Sequence, residues 1–419
     1  MNYSVIGNGV YKPVSDTVTN IINKHSSLCD RFGVSKGLFE ECIPLIYAIP
    51  KLHKNPYKFR FIAGAKRSSI KPISCVLHSI LQYFRKLFCN YNRTYKSSNC
   101  GRGNFYSVEG TNALMFLLDK IKRKCNKICT ADFSTLFTNL SHNDIYKAMK
   151  FLIEFLFNRS KKMFLILKSN KVFFSDKFIT SKSSLCYTKA ELNYLLYSVV
   201  NETYITFAGI IFKQIKGVPM GGNASPDIAD LTLSMFEYKN SQIDRPFTEY
   251  IFRYVDDLLI CNCNNFDHLV QTLYENKLKV EKTHEGLKAE FLDLDIELKN
   301  GWLEFKVYNK TDKFAFEVNR SINLDSNVEL IIHYGVLYTQ TLRFLRICTN
   351  LDDFVQLTKK LILQFENAGF SKYILMDKLK QFLLKKKLEF CKFGYQYSFH
   401  DGIFKVVKNI FDTVNSSTT

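Results

Sequence analysis

The sequence predicts an α+β fold, and three patterns predict it. Short runs in which apolar and polar residues alternate flank turn residues at 46–64, 250–260 and 291–308, as half-buried antiparallel strands require. Between the first two, Ile73, Val76, Leu77, Ile80, Leu81, Phe84, Leu87 and Phe88 repeat at the spacing of one helix face. From about residue 329 the periodicity turns helical to the end. The chain thus divides into an N-terminal extension (1–40), a mixed body (41–309), a helical region (310–400) and a tail (401–419). With 419 residues and 46% apolar content, a sizeable core is expected.

In the extension, Asp16 is placed to cap a short helix through Ile21 and Ile22. The first strand pair, Ile46–Lys54 and Tyr57–Gly64, surrounds Asn55-Pro56. Lys58 and Arg60 share one face of its second strand, with Phe59 and Phe61 on the other. A cationic face on a rigid ribbon suits a triphosphate, and it equally suits an exposed sheet edge guarded against pairing. The helix opened by Pro72 ends near Phe88, and 89–110 reads as loop. Thr111–Ile121 is helical. A short buried strand then ends at Asp132, and Ser141, with Asp144 three residues on, caps a helix to about Phe157.

Thr188–Val200 is an amphipathic helix and Tyr204–Phe212 a hairpin. The glycine-containing stretch 217–222 precedes an apolar helix, Ile228–Tyr238. Glycines there allow close backbone approach to a ligand, although the spacing is not that of a P-loop. Asp256 and Asp257 sit at the tight end of the hairpin 250–260. A carboxylate pair on a rigid hairpin suits magnesium, which takes hard oxygen ligands and keeps room for substrate phosphates. Taken alone, the pair reads more readily as a surface turn. Asp267–Glu275 is helical, Asn300-Gly301 marks a further hairpin, and Gln340, Arg343 and Arg346 share one face of a later helix.

Charge narrows the partner. Lys and Arg number 58 against 39 Asp and Glu, a net charge of +19. Residues 41–130 hold 17 Lys/Arg and 3 Asp/Glu, or +14, so most of the excess sits in under a quarter of the chain. Such a concentration points to a polyanion. No apolar run approaches a membrane span and no signal peptide is evident, so nucleic acid is the expected partner and an intracellular location is expected. The twelve cysteines lack zinc spacing and read as reduced thiols.

In this order the motifs resemble the reverse transcriptases of the Penelope-like retroelement group. Tyr47 to Pro56 with Phe59 to Ile62 is similar to that group's fingers motifs, and Ala131 to Thr138 to its motif A. Gly217 to Gly221 resembles motif B, and Tyr254 to Asp257 motif C. Phe291 to Leu294, Asp325 to Asn327 and Tyr334 through Arg346 resemble motif E and the thumb. The match covers roughly residues 40–390.

The resemblance implies a right-hand polymerase with fingers, an antiparallel palm sheet and a helical thumb. It implies RNA-directed DNA synthesis with two Mg2+ (or Mn2+) ions, an RNA template, a DNA primer and dNTPs, and residence in the nucleus. Asp132 and Asp256 would be the principal metal ligands, with Asp257 completing the triad. Lys51 and Arg60 would hold the triphosphate, and Gly221 would lie under the incoming nucleotide. Lys282 would be a general acid for pyrophosphate. Lys58, Arg343 and Arg346 would contact nucleic acid. Phe137, five residues after Asp132, would be an aromatic gate against a ribose 2′-hydroxyl; a core Phe is the alternative. No GIY-YIG or ribonuclease H segment is apparent, and Met220 stands where many retroviral-type enzymes carry Gln. An RNA-directed RNA polymerase and an inactive nucleic-acid-binding remnant are the competing readings.

Overall fold

The computed structural model describes residues 9–35, 42–52, 58–98, 103–169, 171–179, 181, 183–241, 250–314, 316, 318, 322–394 and 399–412. Strand β1 (Tyr11–Pro13) and helix α1 (Val18–Arg31) lead to a two-stranded ribbon, β2 (Ile46–Lys51) and β3 (Lys58–Ala63). Thr17 rather than Asp16 caps α1, its Oγ1 accepting the Asn20 N–H at 3.2 Å. The expected Asn55-Pro56 turn lies outside the described residues, as do residues 413–419 of the expected tail (401–419). Residues 401–412 are not a tail but part of a helix, Phe399–Asp412, because Ile403, Val406, Val407, Ile410 and Phe411 bury one apolar face.

Helix α2 (Lys71–Ser98) runs well past Phe88, into the stretch expected to be loop. The reason is Asn92. Its amide donates to the Phe105 carbonyl at 2.9 Å and its oxygen accepts the Asn104 N–H at 2.7 Å, so a buried polar residue anchors the returning chain. Next come α3 (Thr111–Ile121), β4 (Ile128–Phe133), a single turn α4 (Leu136–Asn139) and α5 (His142–Ser160). Ser141 caps α5 as its spacing predicts, accepting the Asp144 N–H at 3.0 Å.

A small three-stranded sheet follows, β5 (Phe164–Lys168), β6 (Lys171–Ser175) and β7 (Ser184–Tyr187), which the sequence reading did not foresee. Helix α6 (Lys189–Asn201) opens on a Thr188–Glu191 capping box. The hairpin β8 (Tyr204–Phe207) and β9 (Ile210–Gln214) precedes α7 (Ser225–Lys239). The rest of the mixed body is β10 (Tyr250–Tyr254), β11 (Asp257–Cys261), α8 (Phe266–Tyr274), β12 (Val280–Gly286), β13 (Lys288–Phe291), β14 (Leu294–Lys299) and β15 (Trp302–Val307). Asn300 (φ 49°) and Gly301 (φ 78°) make the expected left-handed turn of the last hairpin. The helical region holds α9 (Leu330–Ile347), α10 (Leu351–Asn367), α11 (Lys372–Lys385), α12 (Lys387–Cys391) and α13 (Phe399–Asp412).

The central sheet has the antiparallel order β10-β11-β4-β12. Strand alternation divides its apolar residues between two cores. Cys129, Ala131, Phe133, Leu258 and Ile260 face one core with α2, α5, α7 and α8. Ile128, Leu259 and Cys261 face the other, shared with β13 to β15 and the C-terminal helices. Asp132 and Asp257 continue this second face at its open end. No helix among the described residues is long and apolar enough to cross a membrane.

Candidate active site

Asp132 and Asp257 are directly opposite each other in the β4–β11 ladder, so their side chains leave the same face. Asp256 precedes β11 at the tip of the β10–β11 hairpin, where its carbonyl accepts the Phe133 N–H at 3.0 Å. Asp132 is exposed and Asp256 and Asp257 are half-buried. Burial pushes the Asp257 carboxyl up to about 7, the charges of Asp256 and Asp132 push in the same direction, and Lys310 partly opposes them. Two carboxylates that raise a third in this way, together with it, supply the oxygen donors a hard divalent cation takes. Among the described residues no group of three or more His, Cys, Asp or Glu side chains is placed to hold a metal ion by itself. A divalent cation beside these carboxylates would need further oxygen donors, such as substrate phosphates.

That shift has a sign. An unfolded Asp titrates near ~3.9, whereas folded Asp257 titrates at about 7. Between those values the folded protein holds a proton that the unfolded chain has lost, so metal-free stability falls as pH rises through the window. Metal-free protein is expected to melt roughly a few degrees higher at pH 5 than at pH 8. Added Mg2+ should recover the difference at pH 8, and Asp257→Asn should abolish both effects. Equal melting of the wild type at the two pH values would contradict the clustering.

The hairpin tip is strained. Val255, a β-branched residue, has φ 52°, in the left-handed region such residues avoid. Arg253 holds it: Nη1 donates to the Val255 carbonyl at 3.2 Å. Arg253 is itself fully buried. Its Nε donates to Glu237 Oε1 at 2.5 Å, Nη1 to Asp230 Oδ1 at 2.6 Å and Nη2 to Ser234 Oγ at 2.9 Å. Glu237 also accepts the Tyr274 hydroxyl and the Tyr106 N–H, each at 2.9 Å. Asp230 accepts the Ser107 hydroxyl at 2.9 Å and has Arg85 at 3.2 Å. Burial lowers the guanidinium's pKa, but the charges of Glu237 and Asp230 outweigh it and hold it above its ordinary value. Two arginines thus balance two carboxylates on α7, directly behind the aspartate hairpin.

The glycine loop before α7 locks two elements to this sheet. Gly217 has φ 76°, and a Cβ there would meet the Phe137 carbonyl oxygen at 2.2 Å. Val218 N–H donates to that same carbonyl at 2.7 Å, and Gly217 N–H to the Leu140 carbonyl at 2.7 Å. Gly221 has φ 112°, and a Cβ there would lie 2.3 Å from the Ala63 carbonyl oxygen. Ala63 N–H donates to the Met220 carbonyl at 2.8 Å. The observed function of Gly221 is therefore this close backbone contact with the root of the ribbon. Phe137 is half-buried beside the larger core, next to the same loop.

On the ribbon, Lys51 faces Lys58 and Ile49 faces Arg60 across the strand pair. Alternation then puts Lys51, Lys58 and Arg60 on one face. Like charges directly opposite destabilise a ladder, which an anion between them would relieve. The ribbon reaches the sheet electrostatically. Glu281, opposite Asp132 in the β4–β12 ladder, is held below the usual carboxylate range first by its bond to Lys279, then by Ser134 and, less, by Lys58.

Lys282 is not brought to the carboxylates. It pairs with Ala131, one step from Asp132, and so occupies the helix-covered face. There its ammonium bonds Glu285 at 2.5 Å and lies 5.3 Å from the Phe266 ring centroid. The expected general-acid placement fails on strand parity. Arg343 and Arg346 line a cleft of about 490 Å3 between α9, the start of α3 and the β13–β14 turn. Arg343 pairs with Asp293 at 3.1 Å, and Arg346 lies 3.9 Å from Glu389. Sequence reasoning missed Arg253, Glu281 and Lys310. Only Arg253 carried a signal, a lone charge in an apolar strand.

No protein-family model matches the chain, and no curated protein matches it in sequence. Solved structures do match. The chain is similar to telomerase from Candida albicans in complex with a TWJ fragment of telomeric RNA. The TM-score is 0.63 at 12% identity, covering 98% of this chain and 69% of that one. It is also similar to apo telomerase from Candida tropicalis, with a TM-score of 0.50 at 14% identity, covering 100% of this chain and 70% of that one. At these identities the likeness is one of fold: this chain has the α+β fold of a right-hand polymerase.

Proposed function

We propose that the protein is an RNA-directed DNA polymerase that extends a primer with dNTPs on an RNA template. The observation that carries this reading is the pairing of Asp132 with Asp257 across two palm strands, with Asp256 at the adjoining tip and a cationic ribbon rooted beside them. Asp132 and Asp256 would hold two Mg2+ or Mn2+ ions, with Asp257 in support. Bound there, such ions activate the primer 3′-hydroxyl and stabilise the leaving pyrophosphate. Lys51 and Arg60 grip the triphosphate, Arg bidentately. Lys58 and the thumb residues Arg343 and Arg346 take backbone phosphates. The motif order favours a Penelope-like retroelement enzyme, for which nuclear residence is the expectation.

Phe137 favours dNTPs over rNTPs. Its carbonyl accepts the Val218 N–H, which ties this half-buried residue to the glycine loop. Phe137→Ala is expected to raise ribonucleotide incorporation relative to deoxynucleotide by at least about tenfold, or ~1.4 kcal/mol of discrimination. Single-nucleotide extension with matched dNTP and rNTP reads the ratio. An unchanged ratio would return Phe137 to a packing role. The decisive test of the overall reading is dNTP incorporation on an RNA template with an annealed primer. Extension by rNTPs alone would favour RNA synthesis, and binding without extension would favour an inactive remnant.

A further inference from the structure

The sheet β6-β5-β7, inserted between α5 and α6, carries none of the residues assigned above. One face, with Leu165, Phe174 and Tyr187, closes on the larger core. Strand β7 lies at the sheet edge. Along it runs an open groove of about 900 Å3 between β7, the end of α1 and the start of α6. The Tyr187 hydroxyl donates to the Phe32 carbonyl at 2.9 Å and fixes its floor.

The groove walls are aromatic, with Arg31 the one cation and Glu191 the one carboxylate among the described lining residues. Phe178 is 60% exposed on one side. On the other, the Arg31 guanidinium lies 3.9 Å over the Tyr194 ring, and Tyr194 stacks towards exposed Tyr197 at 6.4 Å and 19°. The surrounding segment is strongly basic: residues 159–189 hold eight Lys/Arg and one Asp/Glu, or +7. The one acid, Asp176, is paired with Lys162 at 2.5 Å. Glu191, the carboxylate in the groove wall, is committed to the Thr188 cap.

We infer that this groove binds an unpaired stretch of nucleic acid, apart from the primer–template cleft. Exposed rings offer stacking surfaces to bases of any identity, and the basic surround follows the phosphates. Exposed Phe and Tyr rings with an Arg plane match bases better than they match an acidic peptide, whose side chains carry charge without a π-face. The binding site does not require that the palm be active, so the two readings fail separately.

The test uses the full chain with its cleft filled by excess unlabelled blunt primer–template hairpin. Fluorescence anisotropy then follows a labelled twelve-nucleotide oligo(U), with oligo(dT) in a parallel arm to separate RNA from DNA as the source. Wild-type protein should bind at least one of the two, with affinity falling as KCl rises. Phe178→Ala/Tyr194→Ala and Arg31→Glu should each weaken binding about tenfold, with unchanged melting and unchanged extension on a template of short overhang. The inference is overturned if neither oligonucleotide binds, if the hairpin abolishes oligonucleotide binding, or if the variants bind like wild type.

Discussion

Asp256→Asn is expected to abolish primer extension, by at least about a thousandfold, while leaving primer–template affinity within about twofold. A thousandfold corresponds to ~4 kcal/mol of lost transition-state stabilisation. The substitution keeps the shape of the side chain and removes the charge that would hold a cation beside Asp132. The fold should survive it. The Asp256 contact to β4 is made by its backbone carbonyl, which accepts from Phe133 N–H, and the side chain is half-buried. Losing one of three crowded carboxylates also relieves repulsion, so Asp257 should titrate lower in the variant. Extension and binding measured on the same preparation separate chemistry from assembly. A variant that extends at the wild-type rate would remove Asp256 from the site.

Arg253→Met is expected to cost about 3–5 kcal/mol of stability, the usual penalty for breaking a buried ion pair from one side. Glu237 and Asp230 would be left behind with Arg85 as the remaining nearby guanidinium of the cluster. The strained Val255 turn would also lose the Nη1 bond to its carbonyl. Chemical denaturation reads the first effect. The second appears as weaker dependence of extension on Mg2+, since Asp256 is the next residue along. Arg253→Lys is expected to rescue stability only in part, because an ammonium cannot reproduce the guanidinium fork. A fully stable Arg253→Met protein with normal Mg2+ dependence would show that the cluster is dispensable to the hairpin.

What was legible in the sequence was local and periodic. Asp256 and Asp257 stood at the joint of two apolar runs, Asn300-Gly301 punctuated a hairpin, and Ser141 with Asp144 announced a helix start. Each is decided by neighbours a few residues away. Lys282 shows the limit. Its face depends on the β4–β12 register, and a one-residue step separates the open face from the covered one. The length of α2 was hidden for a related reason, because Asn92 is polar in sequence but satisfied by residues 104 and 105 across a turn. Lys310 and Glu281 meet the site through pairings no local pattern encodes. The strands β5 to β7 are hard to read because Phe164 to Ser175 mixes apolar and basic residues, and the turn pair Ser169-Asn170 between its two runs lacks a glycine.

The two faces of the palm sheet are clothed at different times as the chain is made. The face of Ala131 and Leu258 meets α2, α5 and α7, and all of these precede residue 240. The opposite face, with Ile128 and Leu259, shares its core with Leu337, Phe354, Ile403 and Phe411. Those partners leave the ribosome 78 to 152 residues after Leu259. At roughly 5–20 residues per second, the C-terminal helices reach that side of the central sheet seconds after α3 and β13 to β15, which share the same core, have been made. The aspartates stand at the rim of that side, so a nascent chain carries the complete acidic triad long before the thumb has closed over the sheet.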